Sequence, residues 1–147
     1  MRNLLVALAA SFAPAAIGAP FTAPSYYRRL RKPAWSPPSA LFGPVWSALY
    51  LLIGISAWLV ARRGDEPSGA MRLWWTQLAL NAAWTPLFFG LRSPGVALAE
   101  IVATWAAIAA TVVAFFRHRP LAAALLLPYL AWVTFATALN FEIWRRN

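Results

Sequence analysis

The sequence predicts an all-α integral membrane protein, a bundle of five transmembrane helices with a loop rich in proline and tryptophan between the first two. Of the 147 residues, 61% are apolar and only 12% are charged, which is far from the composition of soluble proteins. The uncharged residues form long runs, and each run can supply the roughly 20 residues that a helix needs to cross about 30 Å of hydrocarbon. The arginines lie between these runs, as membrane-flanking residues do. We therefore expect residues 1–147 to form a single membrane domain.

The five runs, of which only the fourth is interrupted by a charged residue, Glu100, give the approximate positions of the predicted helices. Each run ends where prolines, polar residues or arginines begin. In chain order, the predicted helices are residues 4–21, 39–61, 71–91, 94–116 and 121–144. A polar turn over residues 64–69 joins the second helix to the third. Basic residues are spread almost evenly over the two sides of the predicted membrane, so the sequence does not predict an orientation.

The first run is open to two interpretations. Met1, Arg2 and Asn3 are followed by a short apolar stretch and then by small residues, which is the pattern of a secretory signal peptide. The uncharged segment continues past the small residues to Tyr27, however, and is long enough to span a membrane once Pro14 is accepted as a kink. We therefore interpret residues 4–21 as the first transmembrane helix.

The loop over residues 22–38 contains a basic cluster at 28–32, followed by Pro33, Pro37 and Pro38. Proline fixes φ and lacks an N–H, so these prolines rule out a regular helix there and give the loop a stiff shape. One interpretation is an interfacial belt, because tyrosine and tryptophan favour the headgroup level and arginine favours anionic lipid. The other is a lid, because the loop leads directly into the aromatic face of the second helix.

Three predicted helices carry aromatic and amide side chains on one face. Pro44 fits the first turn of the second helix. The residues that share a face are Trp46 and Tyr50 in the second helix, Gln77, Asn81, Trp84 and Phe88 in the third, and Tyr129, Trp132, Ala136 and Asn140 in the fifth. Amides inside a bilayer need hydrogen-bond partners, so these faces should turn inward. The alternative role for the amides is only to join helices to one another.

The fourth predicted helix differs from the others. Glu100 lies about one turn inside the span, so we expect an interfacial carboxylate facing Arg92 rather than a buried proton relay. The helix also carries a stripe of small residues that would allow another helix to approach closely. This stripe consists of Ala99, Ala103, Ala107, Ala110 and Ala114.

The sequence offers little conventional catalytic chemistry. It contains no cysteine, which excludes disulfides, thiolate metal sites and cysteine nucleophiles. The single histidine, His118, lies in a basic loop, where a solvated side chain is expected rather than a haem ligand. The 13 basic residues, against four acidic ones, lie in short segments between apolar runs and leave no soluble face for nucleic acid. We predict no metal site, no nucleic-acid partner and no acid/base catalytic residue.

Several tryptophan-bearing motifs follow one another over nearly the whole chain. They are WSPP at 35–38, FGPVW at 42–46 with Tyr50, QLALNAAWTPLFFG at 77–90, PYLAW at 128–132 and ATALNF at 136–141. In this order they resemble the translocator protein family, also called the tryptophan-rich sensory proteins (TspO/MBR) or peripheral benzodiazepine-receptor-like proteins. The resemblance implies a five-helix bundle, often a homodimer, with a ligand cavity that the loop between the first two helices closes.

The resemblance also implies the ligands and the location. Members of the family bind porphyrins such as protoporphyrin IX and haem, sterols, and synthetic benzodiazepine or isoquinoline-carboxamide ligands. No cofactor is expected to be obligatory, and a porphyrin or haem would be bound as ligand. Phe141 stands where the family's proposed sterol motif has tyrosine, which argues against sterol binding. We expect a multi-pass protein of the bacterial cell membrane, with the outer membrane as the alternative and the lipid bilayer as its surroundings.

Position by position, the resemblance assigns Trp46, Asn81 and Trp132 to the ligand pocket and Ala136 to the same face. A porphyrin is a flat apolar macrocycle with two carboxylates, so it needs aromatic walls and a rim of basic or amide groups. The basic cluster at 28–32 is a candidate for that rim. The residues predicted to bind the ligand are Trp35, Trp46, Tyr50, Asn81, Trp84, Tyr129, Trp132, Ala136 and Asn140.

Three functions remain open. The favoured one is a membrane receptor or carrier for tetrapyrroles, with a role in porphyrin transport or stress signalling. The second is a light- and oxygen-dependent enzyme that degrades porphyrin, for which the resemblance implicates Trp46 and Trp132. The third is a regulatory membrane scaffold whose pocket is incidental. The absence of conventional catalytic groups in the sequence argues against the enzyme.

Overall fold

The computed structural model describes residues 3–21, 24–61 and 68–147, and these are helices and short connections without a strand. Met1, Arg2, Thr22 and most of the predicted turn over 64–69 lie outside the described residues. The helices are α1 (Leu4–Gly18), α2 (Pro24–Arg29), α3 (Phe42–Ala61), α4 (Ser68–Thr85), α5 (Pro94–His118) and α6 (Pro120–Arg146). Apart from the short α2, they match the five predicted spans to within a few residues, which confirms the all-α fold.

The five long helices differ in how well each alone would cross a membrane. By length and composition, α3, α5 and α6 are long and apolar enough to do so. Helix α1 is a shorter apolar helix of 15 residues, and a 3-10 turn over Ala19–Phe21 extends it to its predicted end. Helix α4 has 18 residues and continues into a π-helix over Pro86–Gly90. The two shorter helices thus gain length from irregular turns at their carboxyl ends.

Helix α1 begins with a side-chain cap and packs tightly on α3. Asn3 Oδ1 accepts a hydrogen bond from Leu5 N at 2.8 Å, which satisfies a free amide of the first turn. The helix continues through Pro14, as a spanning segment requires. Gly54 permits the packing, because a Cβ at this position would lie 2.8 Å from both Leu8 Cδ2 and Ser11 Oγ.

The π-helix at the end of α4 was not predicted. Pro86 has no N–H and cannot bond to the carbonyl four residues earlier, and the turn then widens so that Leu91 N donates to Pro86 O at 2.9 Å. Arg92 has a φ of 51° and ends the segment. The wider turn brings both Phe88 and Phe89 into contact with Trp84, at centroid distances of 4.8 and 5.9 Å.

The loop between α1 and α3 contains a helix that the sequence analysis did not predict. Pro24 is the first residue of α2, a position where its missing N–H costs nothing. The prolines at 33, 37 and 38 follow this helix, and there the chain has no regular structure, as predicted. A small core beneath the loop consists of Phe88, Leu139 and their neighbours, with Tyr26 and Leu30 packed against it. The loop is therefore joined to the ends of α4 and α6.

One of the two expectations for the fourth span is wrong. Glu100 accepts a hydrogen bond from Thr104 Oγ1 at 2.7 Å, and the guanidinium of Arg92 lies 5.3 Å from the ring centroid of Tyr26. The predicted pairing of Glu100 with Arg92 does not form, because Arg92 lies at the turn and contacts the loop instead. The alanine stripe lies outside the buried face of α5 in the single chain, since Ala99 and Ala103 are exposed and the other three alanines are only half-buried, and the close approach of another helix at this stripe remains a prediction. Larger residues such as Ile101 and Phe115 form the buried face.

Candidate functional site

A cavity of about 650 Å³ lies between the helices at the end of the bundle that the loop covers. Its volume is within the range of about 300–1,000 Å³ that is typical of small-molecule sites. Residues from α1, α2, α3, α4, the π-helix, α5 and α6 line it, and most of their side chains are apolar or aromatic. A cavity with contributions from every helix depends on how the whole bundle packs.

Tryptophans from three helices form its aromatic walls. Trp46 of α3 packs on Tyr50 with ring centroids 5.4 Å apart, and Trp132 of α6 meets Phe42 edge-on at 6.0 Å. Trp84 of α4 is stacked on Phe88 at 4.8 Å. These distances are typical of favourable aromatic pairs, so each indole is held by a neighbouring ring. The walls are thus ordered before any ligand enters.

Asn81 lines the cavity and lies in a hydrogen-bonded chain that joins α3, α4 and α6. Tyr50 Oη donates to Asn81 Oδ1 at 3.1 Å, and Asn81 Nδ2 donates to Tyr129 Oη at 2.8 Å. Tyr129 Oη in turn donates to Gln77 Oε1 at 2.7 Å. A primary amide has two N–H donors, and these contacts use one. The second N–H of Asn81 remains available to a ligand.

Asn140 makes a second set of bridges. Trp84 Nε1 donates to Asn140 Oδ1 at 2.9 Å, and Asn140 Nδ2 donates to Pro94 O at 2.9 Å. The side chain thereby joins α4, α6 and the first residue of α5. Asn81 and Asn140 therefore do join helices, which was the alternative raised from the sequence, but both also line the cavity.

Most of the residues predicted to bind ligand do line the cavity. They are Trp46, Tyr50, Asn81, Trp84, Trp132, Ala136 and Asn140. Trp35 does not, because it lies in the loop, is 48% exposed and packs edge-on against Phe135 at 5.5 Å. Tyr129 does not either, because it is fully buried and its hydroxyl is engaged with Asn81 and Gln77. Contact of any of these side chains with a ligand remains a prediction.

Several residues that line the cavity were missed by the sequence analysis. Phe89 was missed because a period of 3.6 residues places it on a different face from Trp84 and Phe88. The wider turn of the π-helix brings it to the cavity. Gly18 lies against Thr85, where a Cβ would be 3.2 Å from the threonine Cβ, and both residues line the cavity. Thr104 of α5 is the third case. No signal in the sequence distinguishes it from Thr111, the other threonine of that helix.

Ring contacts and hydrogen bonds of the described residues hold the loop at the cavity. The Tyr26 ring meets those of Phe88 and Phe89 at centroid distances of 6.2 and 6.3 Å. Burial raises the pKa of the Tyr26 phenol while the charge of Arg92 opposes that rise, so the phenol is neutral at physiological pH. Further contacts are the Trp35–Phe135 ring pair and hydrogen bonds between the loop backbone and the side chain of Asn147.

The residues that the structure describes contain no candidate metal site. No group of three or more histidine, cysteine, aspartate or glutamate side chains that could hold a metal occurs among them. His118, at the end of α5, is exposed. Trp46 and Trp132, the two residues proposed for light-dependent chemistry, both line the cavity.

Comparison with known proteins gives one consistent family. Residues 4–145 match the sequence model of the TspO/MBR family. The chain is 44% identical to the human translocator protein, in an alignment that covers 83% of this chain and 75% of the relative. It is also 44% identical to the tryptophan-rich sensory protein of Cereibacter sphaeroides, over 97% and 90% of the two chains. Identity to the tryptophan-rich protein TspO of Archaeoglobus fulgidus is 42%, over 100% and 95%.

Proposed function

The chain belongs to the TspO/MBR family of integral membrane proteins, and on that premise we propose that it is a receptor or carrier that binds tetrapyrroles in the cavity between its helices. Family membership supports a membrane receptor or sensory role. The observation that supports tetrapyrroles as the class of ligand is the cavity itself, whose walls contain tryptophans from three helices. Protoporphyrin IX and haem are the proposed ligands.

The shape and the polar groups of the cavity both favour a flat aromatic molecule with acidic or carbonyl substituents. Broad apolar macrocycles stack on indole rings, and Trp46, Trp84 and Trp132 supply such rings on different sides. Asn81 and Asn140 keep amide N–H groups that can donate to oxygen acceptors. The same combination suits synthetic benzodiazepine or isoquinoline-carboxamide ligands, which are aromatic amides.

The loop over residues 22–38 is proposed to be the lid of this cavity. Its Tyr26 packs on the π-helix, and both Phe88 and Phe89 of that segment line the cavity. Trp35 remains 48% exposed, which also suits the interfacial-belt interpretation. Both roles are compatible in one loop, because a lid at the membrane surface lies at the headgroup level.

We place the protein in the cell membrane. Its long apolar helices and its bacterial and archaeal relatives agree with an integral membrane protein. Nothing in these findings supports the outer membrane, which was the alternative expectation. Transport of the ligand, a homodimer and a scaffolding role are further proposals that follow from the family resemblance alone.

Light-dependent degradation of porphyrin is the second candidate function. It is favoured by the presence of Trp46 and Trp132 in the cavity walls, where an indole would be close enough to a stacked pigment to donate an electron. The same rings are equally suited to passive stacking. A receptor or carrier needs only that stacking, and it is the simpler proposal.

A titration of the detergent-purified protein with protoporphyrin IX tests the proposal. Binding should shift the absorption band of the pigment, saturate at one site and give a Kd of about 1 μM or lower, corresponding to about 8 kcal/mol. An absorption scan before the titration would detect pigment that co-purifies. Linear, non-saturating uptake equal to that of empty detergent micelles would contradict the proposed function.

A further inference from the structure

One member of the basic cluster differs from the rest in its position. Arg28 lies in the last turn of α2 and is among the residues that line the cavity. Arg29, Arg31 and Lys32 belong to the same cluster but are not among the described residues of the lining. Among the described residues of this cluster, Arg28 is therefore the one that contributes to the cavity lining.

The electrostatic setting of Arg28 favours an anion. The described lining residues include no aspartate or glutamate. The two acidic side chains that the structure describes lie outside the lining: Glu142 pairs with Arg145, and Glu100 accepts from Thr104 with one oxygen while its other oxygen is buried without a partner. A guanidinium has five N–H donors, so Arg28 can bind an incoming carboxylate and keep its existing contacts. An acidic ligand would thus meet a cation, with no competing carboxylate among the described residues of the cavity wall.

Contacts on both sides of Arg28 fix its position. Two residues earlier, Tyr26 packs on Phe88 and lies beneath the guanidinium of Arg92. Three residues later, the backbone of Arg31 is hydrogen-bonded to the side chain of Asn147. The short helix is therefore tied to the ends of α4 and α6, and the side chain of Arg28 is presented to the cavity by a fixed backbone.

We propose that Arg28 binds a carboxylate of the ligand, so that the cavity selects tetrapyrroles with free acid side chains over the same macrocycles without them. This inference rests on the proposed function and adds the chemical group that is recognised. Arginine forms paired N–H···O bonds with a carboxylate, and apolar walls next to the pair strengthen their attraction relative to open water. The neutral amides of Asn81 and Asn140 do not provide that charge complementarity.

The test compares protoporphyrin IX with its dimethyl ester, which keeps the macrocycle and removes both negative charges. We expect the wild type to bind the diacid about tenfold more tightly than the ester, as is typical of a hydrogen bond to a charged group. Arg28→Gln should lose most of that preference by weakening the diacid alone, and its unchanged affinity for the ester would show that it is folded. Arg28→Lys should keep part of the preference, because lysine retains the charge without the paired geometry.

Arg29→Gln is the matched control, because it removes the same charge from the neighbouring position. It should retain the preference for the diacid. Equal binding of the two probes by the wild type, or equal loss of preference in Arg28→Gln and Arg29→Gln, would overturn the proposal and leave porphyrin binding itself intact. If Arg28→Gln binds neither probe, the affinities of Arg28→Met for the diacid and for the ester are measured instead. This variant should also lose most of the preference for the diacid, and a preference equal to that of the wild type would overturn the proposal. Failure of the wild type to bind either probe would instead contradict the proposed function.

Discussion

The side-chain amide of Asn147 is hydrogen-bonded to the backbone of Arg31 in both directions. Arg31 N donates to Asn147 Oδ1 at 3.1 Å, and Asn147 Nδ2 donates to Arg31 O at 3.0 Å. Asn147 Nδ2 also donates to Ile143 O, which fixes the amide against α6. A loop that follows α2 is thus tied to the far end of the chain, next to the cavity. This pair of bonds is a latch on the proposed lid.

Asn147→Ala should therefore accelerate ligand release. Both bonds to Arg31 are lost, and the loop should open more often, because each exposed hydrogen bond contributes a modest amount to closure. We expect protoporphyrin to dissociate about three- to tenfold faster, with a smaller change in the association rate. Stopped-flow transfer of the pigment to excess acceptor protein measures the dissociation rate. Asn147→Gln is the control that keeps the amide, and an unchanged rate in Asn147→Ala would show that the latch does not control release.

Replacement of Trp35 and residues 28–32 with glycine and serine tests the lid as a whole. Removal of the ring contact with Phe135 and of the basic cluster should speed release more than it slows capture, since a lid acts chiefly on escape. The two rates are measured separately by stopped flow. If the dissociation rate does not change, the loop is only an interfacial belt.

Tyr129→Phe separates the structural role of the hydrogen-bonded chain from ligand binding. The hydroxyl joins Asn81 to Gln77 and does not line the cavity. Its removal should lower the free energy of unfolding by about 1–2 kcal/mol, because two buried amides lose a partner. Denaturation in detergent measures this loss, and protoporphyrin affinity should change little. Asn81→Ala is the comparison, and it should weaken both stability and binding.

A large loss of affinity in Tyr129→Phe, with Asn81→Ala no worse, would contradict that separation. It would mean that Tyr129 contacts the ligand, as the sequence analysis proposed.

Illumination distinguishes the carrier from the enzyme. With protoporphyrin and oxygen, we expect the wild type to lose the pigment band slowly at most, because stacking alone accounts for the tryptophans. Trp46→Phe and Trp132→Phe should retain binding and show little change in that slow loss. Destruction of pigment over many turnovers by the wild type, together with a Phe variant that binds normally but does not degrade, would replace the carrier with the enzyme.

The spans and inner faces were predictable, whereas the irregular segments were not. Long uncharged runs fix where helices lie, and the spacing of Gln77, Asn81 and Trp84 places them on one inward face, as observed. The π-helix was missed because a period of 3.6 residues was assumed beyond Pro86, where the missing N–H changes the hydrogen-bond register. Helix α2 was missed because the whole loop was interpreted from the prolines that follow this helix, which rule out a regular helix only where they stand.

The depth of a side chain within the bundle could not be predicted from the sequence either. Tyr129 was assigned to the correct face of the fifth span, but it lies behind Asn81 and not in the cavity wall. Periodicity gives direction around a helix, whereas depth depends on the neighbouring helices. For the same reason, the sequence did not distinguish Arg28 from Arg29 in the basic cluster.

The most direct test of the account is whether porphyrin binding depends on the tryptophans of the cavity. The absorption shift of protoporphyrin IX should be measured for the wild type, for Trp132→Ala, for the variant that lacks Trp46, Trp84 and Trp132, and for Trp75→Ala. Trp75 is 49% exposed on α4 and does not line the cavity, so it is the matched control. We predict that Trp132→Ala weakens binding clearly, that the triple variant loses saturable binding and that Trp75→Ala binds like the wild type. Wild-type affinity in the triple variant would show that the ligand binds elsewhere.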